Sequence, residues 1–261
     1  MRESKIKESF DRLGLRCWVA EKPIIQTSNK NVFQMTIRGG QGGTREFFGI
    51  YCGNPHNEVR VLDTDSKFKQ VLLHIKEPRR VFTVKVQKVV SGRGRHRRFE
   101  MVDERRETSP TLRKYLMGLD ETHYFIAQVP LLGPLNTVKE AHEILRPPQV
   151  AYRGKLQESA KRQGEWFFVP ATVKENRELR ERAKTEWMIA RNARIEEGTG
   201  RPHIADEMQH MTIKKIRVFF VRGKIKHPDH KTLVLDTWHR VYANRELREI
   251  SRNASVWGWV D

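Results

Sequence analysis

The stretch RGKIKHPDHKTLVLDTWHRV, Arg222 to Val241, decides how the fold is read. Its three histidines, two aspartates and five Lys or Arg residues admit two readings: a metal site, or a turn joining two basic strands. Pro228 suits the first central position of a type I turn, and Asp229 tolerates the second. His230 then closes the loop in the left-handed region, where His is enriched among non-glycine residues, and His227 pairs with Lys231. That register sets Phe219, Val221, Ile225, Leu233 and Leu235 on one face. The other face sets Arg222 opposite Asp236, Phe220 opposite Trp238, Lys224 opposite Val234 and Lys226 opposite Thr232, giving an ion pair and an aromatic pair across the ladder. A loop shorter by one residue would mix Leu233 and Leu235 with the basic face, so the apolar pattern selects the longer loop.

The same register bears on metal binding. His239 lies roughly 26 Å beyond Lys231 along a straight strand, too far to share an ion with His227 and His230, and it reads as a core histidine. His227 and His230 alone supply half of a zinc site, so no metal is favoured there.

Working outward, alternating or apolar runs separated by Gly, Pro, Asn and Asp predict a β meander from VFQMTIR through REFFGIYCG, EVRVLD and KQVLLHIKE to RRVFTVKVQKVV. Ile6, Phe10 and Leu13 predict an opening helix stopped by Gly14. Thr137 and Glu140 have capping-box spacing ahead of Val138, Ala141 and Leu145, and Pro147 and Pro148 end that helix. TLRKYLMGLDETHYFIAQVP reads as a helix followed by a strand. VKENRELRERAKTEWMIARNARIEE reads as a charged helix with Leu179, Ala183, Trp187 and Ala190 at helical spacing. The expected class is α+β, antiparallel sheets with several packed helices in two subdomains. Residues 1–148 form a β-rich unit with a basic loop at 88–98, 149–164 a polar linker, and 165–261 a second unit with the basic hairpin 216–242.

Charge is the strongest compositional fact. Fifty Lys and Arg against 32 Asp and Glu leave a net charge of +18 over 261 residues. Self-repulsion makes that excess costly to a fold, and its usual partner is a polyanion. No apolar run is long enough to span a bilayer, and MRESKIKESF lacks a signal-peptide core. The two cysteines cannot build a disulfide framework, which points to a reducing, cytoplasmic setting.

GGQGGT, residues 39–44, lacks the Gly-Lys-Ser/Thr ending of a phosphate loop and precedes a strand run, so a hairpin turn is expected. KKIRVFFVRGK lacks the spacing of an RNA-recognition motif. In RPHIADEMQH, His203 with Asp206 or Glu207 at helical spacing would place an imidazole and a carboxylate on one helix face, as metal ligands or as a general base with its orienting acid. Two functions stay open. The first is a nucleic-acid binder, RNA before DNA, with no cofactor and with phosphate contacts from Lys88, Arg93, Arg95, Arg97, Arg98, Lys214, Lys215, Arg222, Lys224, Lys226 and Lys231. The alternative is a metal-dependent nuclease or other hydrolase using His203, Asp206 and Glu207, assisted by His227 or His230. Whether the chain is an enzyme is left undecided by the residues alone.

Overall fold

A computed structural model of the chain describes residues 2–25, 31–39, 46–91, 98–151, 154–184, 188–195 and 202–245. Its first part runs α1 (Arg2–Arg12), β1 (Cys17–Val19), β2 (Gln34–Arg38), β3 (Phe47–Tyr51), β4 (Glu58–Asp65), β5 (Gln70–Glu77), β6 (Arg80–Ser91), β7 (Arg98–Thr108), β8 (Thr111–Asp120), β9 (His123–Val129) and α2 (Val138–Leu145). After α3 (Pro148–Ala151) and α4 (Lys155–Glu158) come β10 (Lys161–Gln163), β11 (Trp166–Pro170), α5 (Val173–Ala183), β12 (Ala190–Ile195), β13 (His203–Ile213), β14 (Ile216–His227) and β15 (His230–Ala243). Two four-residue helices and β10 therefore occupy the segment read as a polar linker.

The strands form four sheets, ordered β1-β3-β2, β4-β5-β8-β9, β6-β7 and β10-β11-β15-β14-β13-β12. Strands take 56% of the described residues and helices 18%. The α+β expectation of several packed helices is therefore corrected: the chain is mostly β, and its helices are short and peripheral to the sheets. Among the described residues no helix is long and apolar enough to cross a membrane.

The sheet β4-β5-β8-β9 shows why the helical reading of TLRKYLMGLD fails. Its two central strands are covered on both sides. Val71, Leu73 and Ile75 of β5, with Tyr115 and Met117 of β8, pack against Ile6 and Phe10 of α1 and Phe48 and Ile50 of β3. Leu72 and Leu116 turn the other way, onto Val138, Ala141 and Leu145 of α2. A strand buried on both faces shows a continuous apolar run instead of alternation, and such a run mimics a buried helix. The expected cap of α2 is present: the Thr137 side chain accepts from the Glu140 amide, and the Glu140 carboxylate accepts from the Thr137 amide. Helix α1 buries Ile6 and Phe10 as expected, and Gly14 follows it with φ of 68°.

HIADEMQH also belongs to a strand. β13 lies between β12 and β14, so ladder hydrogen bonds on both edges override the local helical spacing of His203 and its acids. The charged segment after Thr172 forms a helix only as far as Ala183, after which Ala190–Ile195 is a strand. Trp187 lies outside the described residues.

The β14–β15 hairpin keeps the expected central pairing, Lys224 with Val234 and Ile225 with Leu233. Its turn differs. His227 pairs with His230 across a two-residue Pro228-Asp229 turn, and an irregularity on β15 restores the register between His227 and Ile225. A second irregularity, between Gly223 and Val221, places Phe220 opposite Arg240 and Val221 opposite His239. The proposed pairs Arg222–Asp236 and Phe220–Trp238 do not form across the ladder. Apolar alternation can be met by a short turn plus bulges as well as by a longer loop, and the bulges carry the extra residues. Gly223 occupies the second irregularity with φ of 87°, where a Cβ would stand 2.8 Å from Asp206 Cβ.

Candidate functional site

Two regions gather the residues singled out by the sequence. The first is the β6–β7 ribbon, twelve and eleven residues long, whose strands pair only with each other among the described residues. Near its far end Val89 pairs with Phe99 and Gln87 with Met101. Val89 and Phe99 are each 48% exposed and Met101 62%. Lys88 lies 3.8 Å from Glu104, and Arg98 is exposed. Arg93, Arg95 and Arg97 fall in the six-residue connection between the strands, outside the described residues. At the root, Arg80 meets Glu77 at 3.5 Å and hydrogen-bonds Asn57, tying the start of β6 to the buried sheet.

The hairpin comb is different, because two of its cations, Arg222 and Lys226, already meet carboxylates. Arg222 Nε donates to Glu207 Oε2 at 2.7 Å, and its guanidinium lies 4.9 Å from the Trp238 ring centroid. Lys226 Nζ sits 3.2 Å from Asp206 Oδ1, whose other oxygen accepts from the Lys224 amide at 2.8 Å. That amide, followed by Lys226, holds the Asp206 carboxyl below its usual pKa. Lys214 and Lys215 make the β13–β14 turn with φ of 49° and 65°. The Lys231 amide donates to Glu121 at 2.9 Å.

The second region is a histidine cluster. His203, His227 and His230 each offer a ring nitrogen, and these nitrogens lie within 4.8 Å of one another. The His203 ring stacks on His227 at 4.3 Å between centroids and lies 5.6 Å from His230. Strand pairing brings them together. His227 and His230 face each other across the turn, and the bulge between Ala205 and Glu207 shifts β13 by one residue, setting His203 beside His227. Burial, followed by the charge of its two neighbours, pushes the His203 pKa down to about 3. The ring is therefore neutral near pH 7, with a lone pair to offer. The Asp229 amide donates to His227 Nδ1 at 3.2 Å.

Comparison with protein-family models, with curated proteins and with solved structures finds no match for this chain.

Among the described residues, the converging ligand atoms of the cluster are the imidazole nitrogens of His203, His227 and His230. Asp206 and Glu207, grouped with His203 in the sequence reading, instead bind Lys226, Lys224 and Arg222. His239 lies elsewhere, paired with Pro170 and Val221, with its Nδ1 2.8 Å from the Thr237 carbonyl. Sequence reasoning missed the union of His203 with His227 and His230 because it placed His203 on a helix. A strand reading of HIADEMQHMTI, folded back at Lys214-Lys215, was the available signal. The bulge that completes the alignment is marked only by Gly223, a lone glycine inside the β14 run.

Proposed function

We propose that the chain binds nucleic acid, RNA in preference to DNA, through the outer end of the β6–β7 ribbon. The observation that carries this reading is the exposed Val89, Phe99 and Met101 beside Arg98 and the three arginines of the connecting segment. Apolar side chains displayed in water next to a cluster of cations suit a partner with both flat bases and phosphates. Phe99 offers a stacking face for an unpaired base, and the arginines displace counterions from the backbone. Unpaired bases are the usual target of sequence-specific RNA recognition, hence the preference for RNA. The hairpin comb is a lesser contributor, since Arg222 and Lys226 already answer carboxylates. Cys17 and Cys52 as the only cysteines accord with action in the cytoplasm.

The test is fluorescence anisotropy with labelled single- and double-stranded RNA and DNA over a salt series. Binding strongest to single-stranded RNA is expected, with affinity falling steeply as salt rises. Replacing Arg93, Arg95 and Arg97 together by Glu should reduce the log–log salt slope by about 3, roughly one per lost phosphate contact. Phe99→Ala should weaken binding with little change of slope. No binding to any of the four probes at low salt would overturn the reading.

A further inference from the structure

We propose that His203, His227 and His230 form a binding site for one late first-row divalent cation, zinc in the first instance. The site is separate from the ribbon and does not depend on the nucleic-acid reading.

Convergence is the first argument. The three ligand nitrogens already lie within 4.8 Å of one another. Zinc held at about 2.0–2.1 Å in a tetrahedral site separates its nitrogens by about 3.3 Å, so small side-chain rotations close the remaining gap. The second argument is an unanswered polar group. His203 is only 1% exposed, yet neither of its ring nitrogens has a hydrogen-bond partner among the described residues. Buried polar atoms are rarely left so, and a cation answers one of the two.

The third argument is space. Gly164, in the turn between β10 and β11, reaches over the cluster with φ of 56°. A Cβ there would stand 2.8 Å from His230 Nε2 and 3.4 Å from His203 Nε2. The Nε2 of His230 and the Cε1–Nε2 edge of His203 thus border one spot that glycine leaves open. Carboxylates stand near the Nδ1 of two of the three rings: Glu165 Oε1 is 3.7 Å from His203 Nδ1, and Asp229 Oδ2 is 3.9 Å from His227 Nδ1. A carboxylate behind a ligating imidazole is the usual outer support of a metal-bound histidine.

The donor set selects the ion. Three imidazoles suit zinc, cobalt, nickel or copper, whereas magnesium and calcium require oxygen ligands. Three protein ligands also leave a fourth tetrahedral position for water or another ligand. A cation at His227 Nε2 moves that ring's proton to Nδ1, which then gives up the bond from the Asp229 amide and turns its N–H toward Asp229 Oδ2.

The experiment uses the full chain, stripped with chelator and desalted, with its fold checked by circular dichroism. It is titrated with zinc against a chromophoric competitor and with cobalt by visible absorption. One equivalent of zinc per chain is expected, with a cobalt spectrum of four-coordinate character. His230→Ala removes the least buried ligand. It should weaken zinc binding by more than about 100-fold, beyond the 10–100-fold typical of losing an outer support. Gly164→Ala, which fills the cradle, should weaken it while all three histidines remain. Folded wild-type chain taking up no zinc, or His230→Ala binding zinc as tightly as wild type, would overturn the proposal. Either result leaves the ribbon's nucleic-acid titration untouched, so the two proposals fail separately.

Discussion

Glu77 is a buried carboxylate answered from three elements. The Phe33 amide donates to it at 2.8 Å and the Thr111 hydroxyl at 3.2 Å, Arg113 hydrogen-bonds it, and Arg80 stands 3.5 Å away. Removing one partner of a buried ionic cluster leaves the others desolvated and uncompensated. Glu77→Ala should therefore cost about 3 kcal/mol of stability, read as a lower denaturant midpoint in chemical unfolding. A loss below about 1 kcal/mol would show that water reaches Arg80 and Arg113 once the carboxylate is gone. Nothing in the local sequence marks Glu77 as special. Its partners lie 44, 34, 36 and three residues away, so its importance is set by tertiary contact.

Among elements, the ribbon is the one whose strength and exposure coincide. Phe82, Val84 and Val86 alternate with Thr83, Lys85 and Gln87, so β6 was legible in the sequence. Its partner was not, because RFEMVDERRET carries too few apolar residues to announce a strand, and pairing with β6 is what makes it one. Val86 pairs with Val102 midway along the ladder. Val86→Pro places a ring-locked residue midway along the ladder and disturbs the pairing locally. The melting of the sheets should stay within about 0.5 kcal/mol of wild type, because among the described residues no other strand pairs with the ribbon. RNA affinity should fall at the same time. A large loss of global stability would show that the ribbon is part of the core.

Across the whole molecule, the turn between β8 and β9 meets the tip of the hairpin. Asp120 pairs with Arg162 at 3.2 Å, Glu121 accepts from the Lys231 amide at 2.9 Å, and His123 lies 3.6 Å from Asp229. The side of the hairpin that carries the histidine cluster is thus braced by the β8–β9 turn, about a hundred residues earlier in the chain. Several histidines titrate in the same direction. Burial lowers the pKa of His142 and His239, and it lowers that of His74 together with the nearby Arg60. His203 is lowered most, to about 3. Below the ordinary value of 6.5 the unfolded chain takes up protons that the folded chain refuses, so stability present above pH 6.5 is lost as pH falls toward 3. With chelator present, the denaturant midpoint should drop steadily between about pH 7 and pH 4, and His203→Gln should flatten that drop. An unchanged slope in the variant would place the acid sensitivity elsewhere.

By itself the sequence determined the excess of positive charge, the opening helix, the capped helix at Thr137, the five early strand runs (though not a meander, since they divide among three sheets) and the middle register of the hairpin. Each of these is written in a few neighbouring residues, through apolar period, a capping pair or a turn residue. Only the tertiary structure decided that TLRKYLMGLD and HIADEMQHMTI are strands, since each sits between two others whose ladder bonds outweigh local spacing. It also decided which charges are already answered, pairing Asp206 and Glu207 with the hairpin comb instead of with His203. The histidine cluster belongs to the same class. One residue of slip at the bulge between Ala205 and Glu207 sets His203 beside His227, and a one-residue slip in a strand is a property of pairing, marked locally by Gly223 alone.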